Sequence, residues 1–193
     1  EFDLIQLPPF NTIEDSEFDS RRFQYGHKFT VNININNSGT WFKLNNGDYI
    51  WKLGISSEDA FSIKVEFDKL YLPEGTALHI YNESKDMIYG PYKSIDGTLG
   101  TPLLNGDFVI IEYYQPANVI EKPKIEIGSV IHDYTDIFNF SNDDRDRDCG
   151  ENVVCETAQE YRDQSNAVIY MLINQYTCTG TLINNANNDN TPY

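Results

Sequence analysis

The sequence predicts an all-β fold, an antiparallel sandwich of jelly-roll type, and three observations carry that expectation. Apolar side chains recur at every second position in several runs, turn chemistry separates those runs, and the runs are short and evenly spaced. In Thr30–Asn36, Val31, Ile33 and Ile35 fall on one face and asparagines on the other. Tyr49, Trp51, Leu53 and Ile55 alternate with Lys52 and Ser56. Phe61, Ile63, Val65 and Phe67 alternate with Ser62, Lys64, Glu66 and Asp68, placing the second set on a solvated face. Further strands are expected at 77–81, 87–89, 108–114 and 124–131.

The punctuation between these runs has known causes. Asn46-Gly47 and Asn105-Gly106 suit tight hairpins, because both residue types tolerate positive φ. Asn37-Ser38-Gly39, Pro73-Glu74-Gly75 and Asp96-Gly97 read as turns of the same kind. Seven or eight strands at this spacing place a sandwich over residues 23–137. Residues 1–22 carry Pro8-Pro9 and the acids Glu14, Asp15, Glu17 and Asp19 with no sustained period, so they read as an extended leader. Residues 138–148 shift to alternating charge with no core-forming pattern and read as a linker. Past it, 149–193 form a second unit. There Ala167–Ile173 and Tyr176–Ile183 flank Asn174-Gln175 as a hairpin, too small to be stable alone.

Composition excludes several functions. Fourteen basic and 30 acidic side chains give a net charge of −16, and no Lys/Arg stripe interrupts it, so no nucleic-acid partner is expected. The longest apolar runs fall far short of the roughly 20 residues of a spanning helix, so no membrane insertion is expected. The chain begins at Glu1 rather than Met, as expected of a product whose signal peptide has been removed.

Few residues suggest chemistry. His27, His79 and His132 lie within the sandwich with no Ser/Asp constellation nearby in sequence, and read as bonded or surface imidazoles. Asp144, Asp146 and Asp148 have calcium-loop spacing, but Cys149 stands where the loop needs glycine and Cys155 where it needs glutamate. Cys149, Cys155 and Cys178 are an odd set, leaving at least one thiol without an internal partner. Their spacing does not suit zinc, and a disulfide set of a secreted protein fits better. No metal, cofactor or catalytic residue is assigned. Arg145 and Arg147 form a candidate processing site.

Cys149-Gly-Glu-Asn-Val-Val-Cys155, Arg162-Asp163-Gln164, Ala167-Val168 and Cys178-Thr-Gly-Thr-Leu-Ile-Asn-Asn185 resemble the opening of secreted bacterial lysyl-endopeptidase-type serine peptidases. Upstream, Phe23-Gln-Tyr-Gly26, Ser38-Gly-Thr-Trp41, Gly47-Asp-Tyr-Ile-Trp51, Tyr71-Leu-Pro-Glu-Gly75, Gly106-Asp107 and Gly128-Ser-Val-Ile-His132 are similar to the β-rich pro-region of such precursors. The resemblance implies that 23–137 is a pro-domain and 149–193 the first hairpin of a chymotrypsin-like β-barrel. It also implies that the catalytic His, Asp and Ser lie beyond Tyr193. On that reading Cys149, Cys155 and Cys178 are disulfide half-sites with partners beyond the chain; a Cys149–Cys155 loop bridge is the alternative. The implied partners are the remainder of the peptidase domain and the protein substrates of the parent enzyme, in an extracellular setting.

The competing expectation is a secreted carbohydrate- or protein-binding module. Trp41, Trp51, Tyr89, Tyr92, Tyr113 and Tyr114 would then offer stacking surfaces.

Overall fold

In the computed structural model, which describes residues 1–10, 23–139 and 156–183, the alternating runs are strands. Strand β1 is Asp3–Gln6, β2 Gly26–Asn34, β3 Thr40–Lys43, β4 Tyr49–Ser56, β5 Ser62–Tyr71 and β6 Ala77–Asn82. Strand β7 is Ile88–Tyr92, β8 Asp96–Gly100, β9 Leu104–Asn105, β10 Phe108–Gln115 and β11 Lys124–Asp133. One sheet has the order β1-β4-β10-β6-β7, with β3 also on β4; the other has β2-β11-β5-β8, with β9 on β5. The chain passes repeatedly between the sheets, and β4-β10-β6-β7 over β2-β11-β5-β8 is the jelly-roll arrangement. These pairings are antiparallel apart from β1, which lies parallel to Leu53–Ser56 of β4.

Alternation decides what lies between the sheets. Trp51, Leu53 and Ile55 of β4 meet Ile63, Val65 and Phe67 of β5, with Leu78, Ile80, Ile111 and Tyr113 filling the same core. Each such side chain removes apolar area from water, worth about 1.5–3 kcal/mol when fully buried. Phe61, expected in this row, precedes β5 and is 47% exposed.

Other departures have local causes. Asp96-Gly97 opens β8 rather than making a turn, because its backbone pairs with Leu70 and Tyr71. Strands β1, β3, β8 and β9 are short edge pieces with little alternation, so their pairing comes from the neighbours. The turns expected at Asn46-Gly47 and Pro73-Glu74-Gly75 are closed by Gly47 N donating to Leu44 O (2.9 Å) and Thr76 N to Pro73 O (3.1 Å).

Gly39 is required where it stands. Its φ is +81°, and the Trp51 indole, whose Nε1 donates to Ser38 O at 3.0 Å, fills the space a side chain at 39 would enter. In β11, a side chain at Gly128, where the ladder slips a register, would run into the Asp68 carboxylate.

The first ten residues lie against the sandwich. After β1, Leu7 N donates to Ser56 O (2.8 Å), and Phe10 stacks on His27 (4.6 Å) and Tyr134 (5.2 Å). His132 sits 5.2 Å from the same ring, with Nδ1 2.8 Å from Ser57 Oγ. Both members of that pair are almost fully buried, so it packs the end of the sandwich and offers no accessible nucleophile. His79 is half-buried on β6, where its charge would act on Glu112.

Two predictions follow from this packing. Gly39→Ala adds a Cβ at positive φ and drives it into the Trp51 indole. The unfolding free energy in urea is expected to fall by about 2–4 kcal/mol. Burial holds the His132 pKa below the ordinary 6.5, against the opposing charge of Asp133. The unfolded chain therefore binds the proton more readily. Stability is fully present above about pH 6.5 and declines in acid, by no more than about 1.4 kcal/mol per pH unit for one group. Urea melts at several pH values are expected to show this slope, and His132→Gln to flatten it.

Candidate functional site at the junction of sheet and hairpin

On β5, Ser62, Lys64 and Glu66 point away from the core, where the sequence places them in solvent. Yet Ser62 and Lys64 are buried, with Lys64 only 7% exposed. The reason is visible in β11, where Val130, Ile131, His132 and Asp133 are all buried, so both faces of this strand are covered. The outer cover is a second cluster of Tyr25, Leu103 and Ile131, on which Ile137 and Leu172 pack.

Leu172 belongs to a hairpin formed by β12 (Val168–Ile173) and β13 (Tyr176–Thr181), entered through a 3-10 turn at Glu156–Tyr161 and a short helix α1 at Arg162–Asn166. The strands pair antiparallel from Val168 opposite Thr181 to Ile173 opposite Tyr176. Asn174, with φ of +50°, makes the turn with Gln175, a conformation that asparagine tolerates better than most residues. This agrees with the hairpin and turn expected from sequence.

The sandwich supplies hydrogen-bond donors to that turn. Tyr25 OH donates to Asn174 O (2.8 Å) and Tyr25 N to Gln175 O (2.9 Å). Lys28 Nζ reaches Asn174 Oδ1 (3.2 Å), and Lys64 Nζ reaches Leu172 O (3.3 Å). In return Thr177 N donates to Phe23 O (2.9 Å), so Gln24 bridges Tyr176 and β13 continues the segment leading into β2.

Glu66 arranges the two lysines. Its Oε2 accepts from Lys28 Nζ (3.1 Å) and Ser129 Oγ (2.8 Å), and its Oε1 from Lys64 Nζ (3.2 Å). Burial acts to raise the Glu66 pKa, but the three hydrogen bonds and the Lys64 charge outweigh it, leaving the carboxyl below its ordinary 4.5. The two ammonium groups direct their remaining protons at the Asn174 Oδ1 and Leu172 O oxygens of the hairpin. Burial, then Asp133 and Glu66, push the Tyr25 hydroxyl well above the ordinary tyrosine value, so it remains a donor. Asp133, fully buried beneath, accepts from Ser62 Oγ (2.7 Å), Thr135 N (2.8 Å) and Ile137 N (3.1 Å), fixing the chain that leaves the sandwich.

The hairpin's other surfaces are open. Val168, Tyr170, Ile173, Leu182 and Ile183 are each more than half exposed, and Cys178 is an exposed free thiol. Cys178 borders a cleft of about 490 Å³ with Phe23, Ile173, Tyr176 and Thr179.

Of the residues singled out from sequence, Cys149, Cys155, Arg145 and Arg147, with Asp144, Asp146 and Asp148, lie outside the described residues. The six aromatics do not share a face. Trp51 and Tyr113 are in the core, Tyr89 and Tyr92 are half-buried against it, and Tyr114 donates to Asp48 Oδ2 (2.6 Å). Trp41 alone among the six is an exposed side chain. Sequence reading missed Tyr25, Lys28, Lys64 and Glu66. Their one signal was the unbroken apolar pair Val130-Ile131, which calls for cover on both faces.

Residues 144–193, which include this hairpin, match the family described as lysyl endopeptidase, C-terminal domain. No solved structure matches the chain. The match relates the chain to the lysyl endopeptidases.

Glu66→Gln removes the charge that organises both lysines. About tenfold faster hydrogen exchange is expected at the Tyr25 and Thr177 amides, with core amides of β5 and β10 unchanged. Because the Glu66 pKa is depressed, its contribution is present above about pH 4.5 and lost as pH falls through the folded value. Exchange in the wild-type protein should show that acid step and the variant should not; identical profiles would rule the carboxylate out as organiser.

Proposed function

We propose that this lysyl endopeptidase-related chain is the pro-region and opening segment of a secreted bacterial serine endopeptidase, in which the jelly roll holds the first hairpin of the peptidase domain. One observation carries the reading: the segment that matches the peptidase family is the one whose Leu172, Asn174 and Gln175 accept four hydrogen bonds from Tyr25, Lys28 and Lys64.

The physical case is that a two-stranded hairpin is not stable alone, and a barrel assembled from non-local pairings folds slowly. A surface that fixes the turn and one apolar side chain, Leu172, holds the hairpin in register. The apolar residues Val168, Tyr170, Ile173, Leu182 and Ile183 stay open for the rest of a barrel. The chemistry of peptide cleavage then belongs to a His, an Asp and a Ser in the remainder of the peptidase, as the resemblance implies. Cys178, exposed beside its cleft, suits a disulfide to that remainder, as do Cys149 and Cys155 on the same reading.

Processing at Arg145 or Arg147 would cut the covalent link between sandwich and hairpin while the hydrogen bonds at Lys28, Lys64 and Tyr25 persist. Activation on this scheme has two steps, a cut and a release. In the second the sandwich leaves or is digested.

The test is the intact mass of the natural product from its producing cells, before and after reduction, together with the N-terminal sequence of any mature species. A polypeptide heavier than 22.2 kDa is expected, or a second one released by reductant, with a mature start just after Arg145 or Arg147. Arg145→Ala with Arg147→Ala should leave the precursor uncut. A single 22.2 kDa species with three free thiols would overturn the reading.

A further inference from the structure

We propose that the open margin of the sandwich at Trp41 binds a neutral pyranose unit of an oligosaccharide. The inference is independent of the peptidase reading. Trp41 is 43% exposed, yet it belongs to the inward-facing row of its sheet, opposite Trp51, which is itself opposite Tyr113. The row runs past the end of the opposing sheet and leaves the indole in a cleft of about 380 Å³, within the range of small-ligand sites.

The indole is held in place. Tyr49 packs perpendicular to it at 6.4 Å and 81°, and Tyr113 at 6.0 Å and 90°. Around it stand the amides of Asn36 and Gln115 and the Lys122 ammonium. Gln115 is fixed, with Nε2 donating to Val119 O (2.8 Å) and Oε1 accepting from Tyr113 OH (3.2 Å), and it keeps one N–H and one lone pair to offer. The Asn36 side chain has no hydrogen-bond partner among the described residues. A flat aromatic face bordered by amide donors and acceptors matches a pyranose ring, which has an apolar C–H face and a rim of hydroxyls.

Competing ligands fit less well. A quaternary ammonium suits perpendicular aromatic walls, but Lys122 lines this cleft and Lys43 Nζ sits 5.8 Å over the Tyr49 ring, so a cation meets like charge. A proline-rich peptide requires grooves between aromatic ridges, whereas Tyr49 stands at right angles to Trp41. A polyanion meets the net charge of −16.

The chain has two tryptophans, and Trp51 is fully buried, so a change in tryptophan emission on ligand addition reports Trp41. The full chain would be titrated with cellohexaose, xylohexaose and chitohexaose, following emission and acrylamide quenching. At least one sugar is expected to give a saturable emission change and to protect Trp41 from acrylamide. Trp41→Ala, checked for an unchanged melting temperature, should weaken binding at least about tenfold by calorimetry. Should that variant not fold, Asn36→Ala and Lys122→Ala, both at the cleft margin, should each weaken binding measurably. No response to any of the three sugars up to about 10 mM would overturn the proposal. So would unchanged affinity in the variants, or saturation only by tetramethylammonium or a polyproline peptide.

Discussion

The carboxylate of Glu66 is the group on which the arrangement of hairpin and sandwich depends. Lysine ammonium groups are strongly hydrated and their stems are mobile, so neither Lys28 nor Lys64 would stand at a fixed point above the sheet unaided. Bound to the two oxygens of one carboxylate, they are set side by side with their remaining protons directed outward. The hairpin provides what such protons need, a backbone carbonyl at Leu172 and a side-chain oxygen at Asn174. Burying the charges without those acceptors would be costly. The hairpin therefore completes a polar network as much as it covers an apolar patch.

That balance sets the character of the junction. Its apolar part is small, with Leu172 on Tyr25, Leu103 and Ile131. The directional part is large, and each bond in it contributes modestly against water. An interface of this kind specifies position strongly and binds with limited strength, unlike the continuous apolar core between the sheets.

The sandwich was largely legible in the sequence because its information is local. Alternation at 30–36 and 49–55 needs only neighbouring residues to be read, and two-residue turn chemistry such as Asn46-Gly47 needs fewer still. The hairpin at 168–181 was legible for the same reason. Edge strands were not, since β1 and β3 owe their conformation to β4 rather than to their own composition. The junction was invisible on stronger grounds. Lys28 and Asn174 are 146 positions apart and Tyr25 and Asn174 are 149 apart, and a lysine and a glutamate on the polar face of a strand look the same whether solvent or a hairpin covers them. In the sequence Trp41 is one of six aromatics with nothing to set it apart, and only its exposure in the folded sandwich distinguishes it.

The backbone exchange between Phe23–Tyr25 and Gln175–Thr177 has a bearing on association between molecules. While β13 occupies that segment, its amide and carbonyl groups are satisfied within one chain. A sandwich deprived of its hairpin presents the same groups as an unpaired strand edge beside exposed Phe23, with the apolar Tyr25 and Ile131 cluster uncovered. Such an edge is a template on which a strand from another copy can pair. The hairpin thus acts as a guard against strand addition, and the separated sandwich is a molecule whose solubility depends on how soon something else takes that place.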